Sequence, residues 1–342
     1  MRARRPASLG TSISISLCLA FLVVPANAAD YTGKTINFIV GSAPGGGYDT
    51  YARLFARYFG NHVPGKPTVT VQNMQTAGGL NAANTIYNVA PKDGTTIGMF
   101  ASSNALEPLM GNTLAKFDTG KFTWLGNMNR DALSCGAWKT SGVTSIDDAF
   151  KRQVRFGASG MGATTAQNAL FLKNMLGAQI SVILGYGGTN DVKLAMQRGE
   201  VDASCGLFVS SVVGPFGADV KSGNLKIIVQ FGRTNDKAFG DAPNIYSYLK
   251  TEDDKLAADF VFLAAEITRP ITAPPGVSAD VAATLRKAFD ATVADPELLA
   301  TAKNANIEIT PMNAEAVSKA FADFATTPQR LIERAKAAIT TP

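Results

Sequence analysis

The sequence predicts an α/β protein built from two units. Two observations carry that reading. Short β-branched runs alternate with amphipathic helical patterns from Thr35 onward, and the alternation restarts at Leu133. Each strand–helix joint is also a turn rich in glycine and hydroxyl residues. Alternation of this kind packs as a mostly parallel sheet flanked by helices. A chain of 342 residues suffices for about two domains with separate cores.

In the first unit, TINFIV (Thr35–Val40) reads as a strand. After Asp49, residues Tyr51, Leu54, Phe55, Tyr58 and Phe59 recur at helical spacing, with Arg53 and Arg57 off that face and Gly60 as the expected stop. PTVTVQN (Pro67–Asn73) is a second strand and GLNAANTIYNVA (Gly79–Ala90) a second helix. The turn Pro91–Gly94 leads to a third strand, Thr95–Phe100, and Ser102 and Ser103 open a third helix.

The second unit opens with strands at Leu133–Trp138 and Val154–Ser159. A helix over Thr164–Gly177, a strand at Ser181–Gly185, a helix from about Asn190 to Arg198 and strands at Val201–Gly206 and Leu225–Phe231 follow. The tail is helical. Val281, Leu285, Ala288 and Phe289 share one face, and Asp295-Pro296 is a helix start with Asp as N-cap and Pro at N1. Thr327-Pro328 is expected to repeat that device.

The turns are where function is expected. APGGGYD, QTAGG and ASSN lie in the first unit, SGMGATT and GYGGTND in the second. Ligands of parallel sheets sit outside the carboxyl ends of the strands. Two sheets facing each other there form a cleft lined by helix N-termini, whose free N–H groups and dipole favour an anion. A branched side chain at Gly46 is expected to fill that anion site.

The N-terminus reads as an export signal: Arg2, Arg4 and Arg5, an apolar run over Ile13–Val24, then Ala26-Asn27-Ala28. Cleavage after about Ala28 removes three arginines and no acid, so the formal charge falls from +5 to about +2. No basic block remains to suggest nucleic acid. No later apolar run is long enough to span a membrane. Cys135 and Cys205 survive processing, and an even pair in an exported protein raises the possibility of a disulfide. With one histidine, His62, and no CxxC, metal sites and Ser–His–Asp chemistry have little support. GASGMG around Ser159 misses the nucleophile-elbow pattern, and no P-loop is present. Asp49 sits where a carboxylate serves a helix N-terminus. The donor-rich cleft favours binding over chemistry, without a cofactor.

Segments Pro44–Asp49 (PGGGYD), Asn73–Gly79 and Ala90–Thr95, together with VRFGASGMG and GYGGTNDVKLAMQRGEVD, resemble the receptors of tripartite tricarboxylate transporters, the Bug receptors. The likeness covers nearly the whole mature chain. It implies a Venus-flytrap, type II-like periplasmic binding protein: residues 29–130 in lobe 1, 131–228 in lobe 2, 229–312 returning to lobe 1, and helices over 313–342 packing across both. It implies a small organic acid held by Ala43, Pro44, Gly45, Gly46, Gly47, Tyr48, Asp49, Thr76, Ser102 and Ser103 on the first lobe. On the second it implies Ser159, Gly160, Gly162, Ala163, Thr164, Tyr186 and Asp191. Departures from the family pattern fall at Ser42, Thr76, Gly187 and Asp191-Val192. The expected protein is a periplasmic monomer that hands a di- or tricarboxylate to membrane transporter subunits. The alternatives are a receptor for an amino acid or aromatic acid and a secreted hydrolase using Ser159 or Ser103.

Overall fold

The structure is a computed structural model that describes Met1 and residues 29–262 and 267–340. The export-signal reading of residues 1–28 therefore lies almost wholly outside the described residues. Lobe 1 begins with β1 (Thr35–Val40), α1 (Gly47–His62), β2 (Thr68–Asn73), α2 (Leu80–Asn88), β3 (Thr96–Met99), α3 (Ser102–Leu106) and β4 (Thr123–Asn127). Lobe 2 holds β5 (Leu133–Trp138), β6 (Val154–Gly157), α4 (Thr164–Leu176), β7 (Ile180–Ile183), α5 (Thr189–Gln197) and β8 (Ala203–Phe208). Two short helices follow, α6 (Val209–Val213) and α7 (Gly217–Lys221), then β9 (Leu225–Phe231) and α8 (Glu252–Phe262). The chain returns through β10 (Pro270–Ala273), α9 (Ala279–Val293), α10 (Pro296–Asn304) and β11 (Met312–Asn313), and ends in α11 (Ala314–Ala325) and α12 (Gln329–Ile339).

One sheet has the order β11-β4-β10-β3-β1-β2, the other β7-β6-β8-β5-β9. The two-lobed α/β class is as expected, but both sheets are mixed rather than mostly parallel. β1 runs parallel to β2 and β3, whereas β10 is antiparallel to both β3 and β4. In the second sheet β5 is antiparallel to β8 and β9, while β6 is parallel to β7 and β8. The cause is the double crossing between lobes: β4 and β5 carry the chain out, β10 brings it back. β10 was not legible as a strand because it is short and starts with proline. Pro270 occupies its first position, where the missing N–H is tolerated.

The expected return at residue 229 falls inside β9, which pairs with β5 from Leu133↔Phe231 to Trp138↔Leu225. Gln230 N also donates to Pro243 O at 2.9 Å, and α8 packs on α12, which packs on α4. Chain as far as α8 thus belongs with the second lobe, and β10 marks the return. α11 packs on β4 of the first sheet.

The α1 stripe buries Tyr51, Leu54, Phe55, Tyr58 and Phe59 against β1, α9 and α10. Burying each such side chain contributes about 1.5–3 kcal/mol. Gly60 does not stop this helix, which runs to His62; a Cβ at Gly60 would lie 2.4 Å from the Pro67 carbonyl oxygen, so glycine there permits close approach. Asp295 caps α10 as expected, accepting from Glu297 N at 2.8 Å. At α12 the N-cap is Pro328 itself, with no side-chain cap, so Thr327 does not repeat the device. Cys135 on β5 and Cys205 on β8 are joined by a disulfide. No helix among the described residues is long and apolar enough to cross a membrane.

Candidate functional site

The β1–α1 turn is held open by a carboxylate. Gly45 adopts φ +76°, a conformation that glycine reaches without a Cβ penalty. Its N–H donates to Asp49 Oδ2 at 2.8 Å, and the same carboxylate accepts from Arg53 Nε and Asn73 Nδ2, each at 2.8 Å. Burial would raise the Asp49 pKa, but hydrogen bonds from Arg53, Gly45 and Asn73 outweigh it and hold the group below its usual 3.8. The β7–α5 turn uses the same device: Asp191 Oδ2 accepts from Gly187 N at 3.1 Å. Both carboxylates are therefore spent on shaping turns.

Those turns face each other across a narrow cavity of about 60 Å³. Gly46, Gly47 and Tyr48 bring the N-terminus of α1 to it; Ala163, Thr164 and Thr165 bring that of α4; Gly188 and Thr189 bring that of α5. The first N–H groups of a helix have no intrahelical acceptor. The lobes meet directly around the rim. Ala43 N donates to Gly187 O at 3.2 Å, and Asn190 Nδ2 to Gly45 O at 2.6 Å. On the other flank Ser103 Oγ and Asn104 Nδ2 donate to Gly162 O at 3.0 and 2.9 Å. A Cβ on Gly160 would lie 2.6 Å from Gly78 N, so both glycines are needed for this approach.

The cavity also holds a cation. Arg269, entering β10, is completely buried and lines the cavity. Its guanidinium carbon lies 4.6 Å from the ring centre of Tyr48, 4.7 Å from that of Tyr51 and 4.3 Å from that of Phe208. Such cation–π contacts contribute about 0.5–2 kcal/mol each. Nη1 donates to Thr268 O at 2.9 Å. Asp131 is the buried acid that feels this charge, yet its oxygens are taken by Val209 N at 2.8 Å, Ser210 N at 3.2 Å and Asn129 Nδ2 at 3.2 Å. Burial raises the Asp131 pKa, with Arg269 the chief opposing influence. Burial likewise pushes the Tyr51 phenol up to about 12 against the pull of Arg269.

Two lobes closing glycine-rich turns on one cavity is the arrangement of a solute receptor, and residues 62–336 match the tripartite tricarboxylate transporter family receptor, TctC. The chain belongs to this family. Solved structures share the fold of this TctC-family chain. The periplasmic binding protein BugD is similar at 20% identity and a TM-score of 0.71, covering 88% of this chain and 97% of that one. MatC from Rhodopseudomonas palustris, with bound malate, is similar at 18% and 0.66, covering 90% and 99%. An R. palustris protein with adipate is similar at 17% and 0.68, covering 90% and 98%. No curated protein matches the chain in sequence.

In this TctC-family receptor the residues singled out from sequence divide into three groups. Gly46, Gly47, Tyr48, Ser159, Ala163 and Thr164 line the cavity. Ala43, Gly45, Ser103, Gly160 and Gly162 instead form the contacts between lobes described above, and Ser102 is buried beside Ser103. The remainder do not reach the cavity. Pro44 and Thr76 are exposed, Asp49 and Asp191 brace their turns, and Tyr186 packs near Gly157. Gly46 and Gly47 differ in what they face. A Cβ on Gly46 would point at Ala43 O, 3.3 Å away, while one on Gly47 would meet Arg269 Nη2 at 3.2 Å and Ser211 Oγ at 3.6 Å. Gly47, not Gly46, therefore faces the cation.

Arg269, Phe208 and Ser211 were not legible. They come from β10 and the β8–α6 junction, far in sequence from the glycine turns. The available signal was a single arginine inside an otherwise uncharged stretch, TRPITAPPG (Thr268–Gly276). His62 is remote from the site and pairs with Asp295 Oδ2 at 2.7 Å.

Proposed function

We propose that this chain is the periplasmic receptor of a tripartite tricarboxylate-type transporter, and that it captures a small carboxylate between its lobes. The observation that carries the reading is the convergence of three helix N-termini, those of α1, α4 and α5, on one interlobe cavity. Each favours an anion by about 0.3–1 kcal/mol when exposed and up to about 2 when partly buried. The malate and adipate in the two R. palustris relatives support the same ligand class. Localisation to the periplasm rests on the Arg-rich start, apolar run and Ala-Asn-Ala of residues 1–28.

The mechanism is a hinge. The crossing segments are pinned to each other: Arg269 N donates to Asn127 Oδ1 at 2.7 Å and Thr268 N to Asn129 O at 3.2 Å. A ligand that touches the α1 turn on one side and the α4 and α5 turns on the other stabilises the closed form by its differential contacts. The closed form then docks on the membrane subunits. Binding rather than hydrolysis is the reading because Ser103 Oγ is committed to Gly162 O and Thr164. Among the described residues Ser159 Oγ meets only Thr165 Oγ1, at 3.3 Å, and His62 is held by Asp295.

The test is mass spectrometry of ligand co-purified from the periplasm, with a thermal-shift panel of C4–C8 dicarboxylates, citrate, aromatic acids, amino acids and sugars. An acid should raise the melting temperature and be recovered unchanged, with affinity near micromolar, about −8 kcal/mol. Stabilisation by a neutral sugar and by none of the acids would overturn the carboxylate assignment.

A further inference from the structure

Arg269 carries unspent hydrogen-bonding capacity. A guanidinium has five N–H donors in a fixed planar fork. Nη1 uses Thr268 O, but Nε and Nη2 are both buried with no hydrogen-bond partner among the described residues. These two atoms form one edge of the fork, the edge that presents two parallel N–H bonds to a carboxylate. Elsewhere in this protein that same edge does so. Arg155 donates from Nε and Nη2 to Asp202 at 3.1 and 2.8 Å, and Arg233 donates from Nε and Nη2 to Asp259. Arg269 instead lines the cavity, with Nη2 beside Gly47, another lining residue.

Three further features make this a built site. The residue is completely buried, so leaving its donors unmet is costly. Space beside Nη2 exists because position 47 has no Cβ; one built there would stand 3.2 Å away. The first N–H groups of α1, a helix of sixteen residues, begin at that position.

We propose that the Nε/Nη2 edge of Arg269 is the seat of the ligand's acidic group, a carboxylate bridged between this guanidinium and the N-terminus of α1. Tyr48 and Tyr51 of the first lobe and Phe208 of the second surround the guanidinium, with Tyr48 and Phe208 edge-to-face at 6.4 Å. The rings exclude water, fix the fork's plane and join the anion site to closure of the lobes. Ser211 Oγ, beside the same space, supplies a neutral donor from the second lobe. Arg269 thereby separates acids from their neutral analogues, a discrimination that helix N-termini make only weakly. This proposal rests on the carboxylate-receptor reading.

The experiment measures acid-over-amide preference. Calorimetry is run with succinate, glutarate and adipate, and with the neutral diamide of each, on the full mature protein and on Arg269→Met and Arg269→Gln. The wild type should bind at least one acid over its diamide, and either variant that folds should lose about 10- to 100-fold of that preference. Arg269→Lys should keep part of it, since a point charge replaces the fork without its bidentate geometry. An acid-over-amide ratio unchanged in both variants overturns the proposal while leaving the receptor reading intact, because a merely structural role would weaken both forms alike. Binding of the diamides and of none of the acids by the wild type overturns both. Circular dichroism and the melting temperature report folding of each variant.

Discussion

Replacing Gly47 by alanine is the sharpest perturbation of the anion site. Position 47 is the first residue of α1 and does not have positive φ, so alanine fits the backbone without strain. Helix propensity favours alanine over glycine by up to about 1 kcal/mol. Against this, the new Cβ would stand 3.2 Å from Arg269 Nη2, tight enough to push the guanidinium by a few tenths of an ångström. Stability should therefore change by less than about 1 kcal/mol in either direction. Binding should change far more. The methyl group occupies the space beside Nη2, and losing one charge-assisted hydrogen bond there costs about 1.5–3 kcal/mol, or about 10- to 150-fold in Kd. Gly46→Ala is the matched control. Its Cβ would face Ala43 O at 3.3 Å, inside its own turn, and its N-cap backbone (φ −72°, ψ 166°) accepts alanine. It should lose about 1 kcal/mol of stability as a poorer cap and lose less affinity than Gly47→Ala, because its Cβ does not meet Arg269. Calorimetry with the best-binding dicarboxylate, alongside melting curves, separates the two. Wild-type affinity in folded Gly47→Ala, or equal losses in both variants, would refute the placement of the carboxylate.

Two further outcomes follow from the lobes themselves. The Cys135–Cys205 bridge joins adjacent strands across 70 residues of sequence, and removing it with Cys135→Ala/Cys205→Ala should cost roughly 2–4 kcal/mol in urea unfolding; two reactive thiols in the unfolded, non-reduced periplasmic protein would reject the bridge. Glu107 links the lobes by accepting from Gln167 Nε2 at 2.7 Å while Asn112 Nδ2 donates at 2.6 Å. Burial raises its pKa above the usual 4.5, outweighing those two hydrogen bonds. Its folded form thus binds the proton more tightly than its unfolded form. Its contribution to stability should fall as pH rises from about 4.5 through the raised value, then level off. Glu107→Gln should abolish that slope. Asn112 cannot turn to help the new amide, because its Oδ1 accepts from Leu114 N at 2.9 Å, so Gln167 must turn its oxygen inward. Identical pH profiles for wild type and variant would exclude Glu107 as the source.

Much of this protein was legible as one-dimensional pattern. Local preferences that do not depend on distant partners wrote themselves into the sequence: the apolar face of α1, the β-branched runs of β1 and β9, the Asp295-Pro296 start of α10, and the glycine turns that admit positive φ and close approach. Those same features located one half of the cavity, since a strand–helix turn carries its own free N–H groups wherever the fold places it.

Tertiary structure decided the rest. Pairing of β10 between β3 and β4 follows from where the chain re-enters the first lobe, and its four residues carry no periodic signal of their own. The roles of Asp49 and Asp191 turned on whether their carboxylates met a ligand or the N–H four residues earlier, which only the folded turns settle. Arg269 is the clearest case. As a sequence letter it is one arginine among many, and its chemistry comes from what surrounds it: three rings that strip its water, an edge left without an acceptor, and a missing Cβ at Gly47 that leaves room for an anion. The sequence by itself determined the fold class and the donor-rich turns, because those depend on local spacing. Charge placement in the cavity depends on burial and on partners brought together from positions 47, 208 and 269, and distances of that kind exist only once the lobes have packed.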